Sequence, residues 1–141
     1  MEDKIFLSWN DIEALVDNLA EQINKMDKKP FYIYGVPRGG AIPVVWLSHK
    51  TGIDYYQLNS AQISKTADLS HILIVDDICD SGETMKKLKE NFPKCQTATL
   101  YYKETAIYKP DIYGEVTGEE WLVFPWENQQ SLEVRDNTYG L

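Results

Sequence analysis

The sequence predicts an α/β domain built on a central, mostly parallel sheet flanked by helices. Three observations carry that expectation. Short aromatic or β-branched runs alternate with helical periodicities; one run, Ile72 to Val75, is apolar throughout, as in a strand covered on both faces; and glycines fall where strands hand over to helices. Such alternation implies right-handed crossovers, which align the strands in parallel.

The elements follow in chain order. Ser8 to Met26 reads as an amphipathic helix, because Ile12, Leu15, Val16, Leu19, Ile23 and Met26 recur every three or four residues. Ser8 and Asp11 have the spacing of a capping box, and Pro30 lies just beyond the end. Phe31 to Val36 is the first strand read from the pattern. It runs into Pro37-Arg38-Gly39-Gly40 and an apolar helix, Ala41 to Leu47, closed by Thr51-Gly52. Ile53 to Leu58 reads as a strand and the polar stretch Asn59 to His71 as a loop. After Ile72 to Val75 come two carboxylates, an acidic turn and a helix from about Thr84 to Phe92, with Pro93 just past it. Thr97 to Tyr102 and Trp121 to Phe124 are the remaining strands, the last stopped by Pro125.

Composition narrows the function. The chain's 141 residues suit one domain, 1–141, since a chain of about 150 residues buries roughly 70 % of its unfolded surface. With 43 % hydrophobic residues and 4 Trp, 9 Tyr and 4 Phe, a disordered or fibrous chain is excluded. A net charge of −8 and a pI near 4.7 argue against nucleic acid as partner, because that binding is driven by Lys and Arg. Cys79 and Cys95 are too few for a disulfide scaffold and lack zinc-site spacing. Cys79 is read as a packing residue, and Cys95 carries no signal. His49 and His71 have no ligand partner at metal spacing and are read as surface or helix-end residues. Met1-Glu2-Asp3-Lys4 shows no signal peptide, and apolar runs fall well short of the ~18 residues of a membrane span. A cytoplasmic protein without a membrane partner is expected. The polar tail from Asn128 to Leu141 decides nothing.

The chemistry concentrates between Asp76 and Thr84. In an open parallel sheet ligands collect at the carboxyl ends of strands, where loops enter helix N-termini. Backbone N–H groups around Ser81 to Thr84, at the positive end of the next helix, suit a phosphate. Gly82 lets the chain approach it closely, and the hydroxyls of Ser81 and Thr84 add donors. Asp76, Asp77 and Asp80 beside a phosphate would repel it unless ribose hydroxyls or a divalent cation match their charge. A sugar phosphate with Mg²⁺ meets both needs. Helix capping alone would use one such side chain, not several.

Val75-Asp76-Asp77-Ile78-Cys79-Asp80-Ser81-Gly82-Glu83-Thr84 resembles the signature of the type I phosphoribosyltransferases, which bind 5-phosphoribosyl-1-pyrophosphate; Ser81 stands at the family's usual Thr. Tyr34-Gly35-Val36-Pro37-Arg38-Gly39-Gly40-Ala41-Ile42-Pro43 is similar to the pyrophosphate loop of the xanthine-guanine and hypoxanthine branch, which has a non-proline cis peptide after the Arg position. Trp121-Leu122-Val123-Phe124-Pro125-Trp126-Glu127 resembles that branch's Trp-x-x-x-Pro-Trp-acid segment, and Lys103 matches its purine-contacting Lys.

The resemblance implies a Mg²⁺-dependent transferase that joins the phosphoribosyl group to an oxopurine (xanthine, guanine or hypoxanthine) and releases pyrophosphate. It places Asp76, Asp77, Asp80, Ser81, Gly82, Glu83 and Thr84 around the ribose and 5′-phosphate, with Asp76 and Asp77 also placing the metal. Arg38, Gly39 and Gly40 fall at the pyrophosphate. Trp121 would stack on the purine, the Leu122 carbonyl would accept from it, Lys103 would donate to O6, and Asp80 would be the catalytic base at N7. A homodimer or homotetramer is implied too. The hood over the family's active site is shortened here, with only Asn59 to His71 available. Two rivals stay open: a non-enzymatic 5-phosphoribosyl-1-pyrophosphate or nucleotide sensor, and a transferase for another nucleobase. The short hood favours the sensor; Asp80 and Lys103 favour the enzyme.

Overall fold

A computed structural model describes residues 3–57 and 71–127. The expected loop Asn59 to His71, apart from His71 itself, and the tail from Asn128 lie outside the described residues. Five strands, β2 (Tyr32–Gly35), β3 (Asp54–Gln57), β4 (Ile72–Cys79), β5 (Gln96–Lys103) and β6 (Ile112–Thr117), form a sheet in the order β3-β2-β4-β5-β6. Every pairing in it is parallel. β1 (Lys4–Phe6) and β7 (Trp121–Val123) make a separate parallel pair that joins the two ends of the described chain.

Among the described residues, three helices cover the sheet. α1 (Trp9–Asn24) and α2 (Ala41–Thr51) lie on one face, where Ile12, Val16, Leu19, Val44 and Leu47 pack on Ile33, Leu73, Val75, Ala98 and Leu100. α3 (Glu83–Asn91) lies on the other, with Met85 and Leu88 against Tyr34, Ile72 and Ile74. The capping box of α1 is present: Ser8 Oγ accepts from Asp11 N–H at 3.1 Å, and Asp11 Oδ2 accepts from Ser8 N–H at 2.8 Å. α2 closes on Gly52 as expected.

Several boundaries depart from the sequence reading, and each departure has a local cause. β1 and β6 were absent from it, the first because three residues show no periodicity and the second because Ile112–Thr117 mixes Gly114 and Glu115 into a half-exposed strand. β4 runs on through both aspartates to Cys79, four residues past Val75. Its ladder with β5 passes over Asp77, where side chains take the backbone donors: Asp76 Oδ1 accepts from Asp77 N–H at 2.8 Å and Asp77 Oδ1 from Ile78 N–H at 2.7 Å. His71, in the helical turn directly before β4, is half-buried and stacks with 4.3 Å between ring centroids on Phe31, itself 65 % exposed, in keeping with a surface or helix-end residue.

Candidate active site

The carboxyl ends of β2, β4 and β5 lie side by side, and the turns leaving them supply the site. The turn after β2 packs onto β4: Val36 N–H donates to the Val75 carbonyl at 2.8 Å, and a side chain on Gly40 would collide with that same carbonyl. A side chain on Gly39 would run into the carboxylate of Asp77, so the predicted pyrophosphate turn and the predicted ribose carboxylate are in contact. Gly40 N–H is spent inside the turn on the Val36 carbonyl, at 2.7 Å. This gives Gly40 a packing task alongside the ligand task expected of it. Arg38 is exposed at the tip. The turn contains a cis peptide between Pro37 and Arg38, one bond earlier than expected.

Asp76 and Asp77 are 7 % and 4 % exposed. Buried carboxylates are retained where hydrogen bonds or a cation match their charge, and these two are the hard oxygen donors of the site. Among the described residues no three His, Cys, Asp or Glu side chains converge. Mg²⁺ commonly takes one or two carboxylates and fills its remaining positions with substrate oxygens and water, so this donor set fits it.

Beyond Cys79 the chain turns into α3. Ser81 Oγ accepts from Glu83 N–H at 3.2 Å in a local turn, but the N-cap of α3 is Gly82 and no side chain of the acidic turn caps the helix. Gly82 has φ +88°, a left-handed conformation that favours glycine, and a Cβ there would meet Tyr108 N at 2.8 Å. Its lack of a side chain therefore serves the fit to residues 106–108 in addition to any approach by a phosphate. Cys79 is buried, its Sγ donates to the Tyr108 carbonyl at 3.1 Å, and desolvation with the nearby Asp76 and Asp80 pushes its pKa up to about 12. That makes it a packing residue and a poor nucleophile.

Lys103, the last residue of β5, reaches across to the turn after β4, where its Nζ lies 3.4 Å from Asp80 Oδ1. The two side chains are 19 % and 26 % exposed. The structure thus joins the residue expected at purine O6 to the one expected at N7. Trp121 is placed on β7 and is only 8 % exposed, so it presents little surface to a stacking base. Trp121 N–H donates to the Asp3 carbonyl and Leu7 N–H to the Val123 carbonyl. Peptide groups alternate along a strand, so the Leu122 carbonyl is directed away from β1. Glu127 closes the turn that follows: its Oε1 accepts from Phe124 N–H at 2.9 Å, and its own N–H donates to the Phe124 carbonyl at 2.9 Å.

Sequence reasoning missed the connection between β5 and β6. Ile107 N–H donates to the Ser81 carbonyl at 2.8 Å, which ties residues 106–108 to the phosphate turn. No side-chain pattern announces a backbone donor of this kind.

Comparison with known proteins agrees with the geometry. A xanthine-guanine phosphoribosyltransferase of Idiomarina loihiensis is 28 % identical over 88 % of this chain and 87 % of its own. The crystal structure of a purine phosphoribosyltransferase from Pyrococcus horikoshii superposes with a TM-score of 0.74 at 32 % identity, covering 92 % of this chain and 98 % of that one. A xanthine-guanine-hypoxanthine phosphoribosyltransferase of Helicobacter pylori does so with a TM-score of 0.74 at 25 % identity, over 89 % and 93 % of the two chains. The family model of the phosphoribosyl transferase domain matches residues 4–129, and the chain belongs to that family.

Proposed function

We propose that the protein is a Mg²⁺-dependent oxopurine phosphoribosyltransferase, which converts 5-phosphoribosyl-1-pyrophosphate and xanthine, guanine or hypoxanthine into a nucleoside monophosphate and pyrophosphate. The observation that carries this reading is the pair Lys103 and Asp80, 3.4 Å apart. On one edge of an oxopurine the O6 acceptor and N7 are neighbours. With N7 protonated, as it is when N9 is the nucleophile, that edge offers an acceptor beside a donor. Lys103 supplies the matching donor and Asp80 the matching acceptor. Adenine sets an amino group against the ammonium instead. The xanthine-guanine and xanthine-guanine-hypoxanthine phosphoribosyltransferases among the relatives support the same base class.

In the reaction N9 attacks C1 of the ribose as the bond from C1 to pyrophosphate breaks, and the N7 proton passes to Asp80. Asp76 and Asp77 hold the ribose hydroxyls, and their negative charge favours the cationic character that develops on the ring. Arg38 and the Gly39 turn receive the departing pyrophosphate, while Ser81 to Thr84 anchor the 5′-phosphate at the helix terminus. Asp76 and Asp77 would hold Mg²⁺, which when bound would supply positive charge to offset that of the leaving group.

The test is incubation with Mg²⁺, 5-phosphoribosyl-1-pyrophosphate and, separately, guanine, xanthine, hypoxanthine, adenine and uracil, with chromatography of the products. Monophosphates are expected from at least one oxopurine and from neither adenine nor uracil. Product from adenine or uracil alone would transfer the assignment to another base, and binding without any product would make the protein a sensor.

A further inference from the structure

The connection leaving β5 is stitched along its length. Ala106 N–H donates to the Lys103 carbonyl at 2.9 Å, Ile107 N–H to the Ser81 carbonyl at 2.8 Å, and Cys79 Sγ to the Tyr108 carbonyl at 3.1 Å. The far end is held from β5 itself. Thr97 Oγ1 lies 2.9 Å from the Tyr108 hydroxyl, and Thr97 N–H donates to Asp111 Oδ2 at 2.8 Å. Tyr108 and Ala106 also pack on the core beneath α3. Residues 104–111 are therefore a strap, anchored at both ends, whose middle grips the turn between β4 and α3.

The grip falls on one peptide group. In a trans peptide the carbonyl and the N–H point in opposite directions, and the bond between Ser81 and Gly82 is trans. Holding the Ser81 carbonyl against Ile107 turns the Gly82 N–H away from the strap. Gly82 fits this orientation because it has no Cβ to meet Tyr108 N at 2.8 Å. We infer that the backbone N–H of Ile107 is a positioning group for the phosphate turn, aiming the Gly82 amide at the 5′-phosphate. The inference rests on the functional reading above and adds to it a residue outside the signature.

Ile107 is well suited to a test, because its side chain is 61 % exposed and little packing is lost with it. Ile107→Ala keeps the N–H and Ile107→Pro removes it. Ribose 5-phosphate affinity is measured by calorimetry, and KM for 5-phosphoribosyl-1-pyrophosphate and kcat by steady-state kinetics, with thermal melting to follow the fold. The expected result is wild-type affinity in Ile107→Ala. Ile107→Pro should bind at least tenfold more weakly, with KM raised accordingly and kcat at saturation changed less than threefold. Equal affinity in the two variants would overturn the inference. Should Ile107→Pro not fold, Cys79→Ala loosens the strap at Tyr108 instead; a two- to fivefold loss of affinity is then expected, and none would overturn the inference. A wild-type protein that fails to bind ribose 5-phosphate would instead overturn the functional reading, and the inference with it.

Discussion

Asp80 and Lys103 illustrate how a short distance sets what a substitution will do. With Lys103 Nζ 3.4 Å from Asp80 Oδ1, removing either charge leaves the other largely buried without it. Asp80→Asn keeps the shape and removes the proton acceptor. Turnover should fall by about 10² to 10⁴, the usual contribution of a general base, while affinity for 5-phosphoribosyl-1-pyrophosphate changes only a few-fold. Parallel losses in turnover and affinity, measured by steady-state kinetics and calorimetry, would take the base assignment away from Asp80. Lys103→Ala removes a charged donor worth about 1.5 to 3 kcal/mol, roughly ten- to a hundredfold in binding. Guanine or hypoxanthine should lose that factor in KM and adenine should not, so the preference for an oxopurine narrows. Asp80 was legible in the acidic turn after an apolar run, and Lys103 and both residues' roles through the family resemblance. Their pairing was not, because it depends on how far β5 extends beside β4, and strand ends are set by neighbours rather than by the local pattern.

At the scale of elements, amphipathic periodicity was the more dependable signal and strand length the less so. α1 is specified twice, by its buried stripe Ile12, Leu15, Val16, Leu19 and Ile23 and by its reciprocal cap, and its start is where the sequence put it. Ser8→Ala should therefore cost about 1 kcal/mol of stability, the typical loss of an N-cap side chain. In thermal melts a protein of this size should show a decrease of a few degrees, with ribose 5-phosphate binding intact because α1 supplies no group to the site. A variant that melts with the wild type would mean the cap is energetically idle. The strands behave differently. β4 looked four residues shorter because carboxylates interrupt its apolar run, yet Asp76 and Asp77 satisfy the next backbone N–H themselves and the strand continues. β6 exists because β5 is beside it, and β1 because β7 is. The strap between β5 and β6 escaped for the same reason, since its function resides in main-chain donors whose targets are far away in sequence.

Across the whole molecule, titratable side chains are buried in both cores, and this fixes how stability responds to alkali. Cys79 and Cys95 sit in the core beneath α3, Tyr101 in the core beneath α1 and α2. Desolvation raises all three, Cys79 to about 12, Cys95 to about 11 and Tyr101 to about 12, from ordinary values of 9.0, 9.0 and 10.0. Each pKa is higher folded than unfolded, so the folded chain keeps protons that the unfolded chain releases first. Their contribution to stability is full below pH 9 and is lost as the pH climbs from there toward 12. The denaturant midpoint should thus be flat in this respect between pH 7 and 8.5 and fall steadily above 9, in the presence of a reductant. Thiol chemistry supplies an independent reading of the same burial, since thiolate is the reactive form. At pH 8 neither cysteine should react with an alkylating reagent while the chain is folded, and both should react in denaturant. A cysteine labelled quickly in the native protein, identified by mass spectrometry, would show that its core opens far more readily than the packing of Met85, Leu88 and Phe92 around it implies.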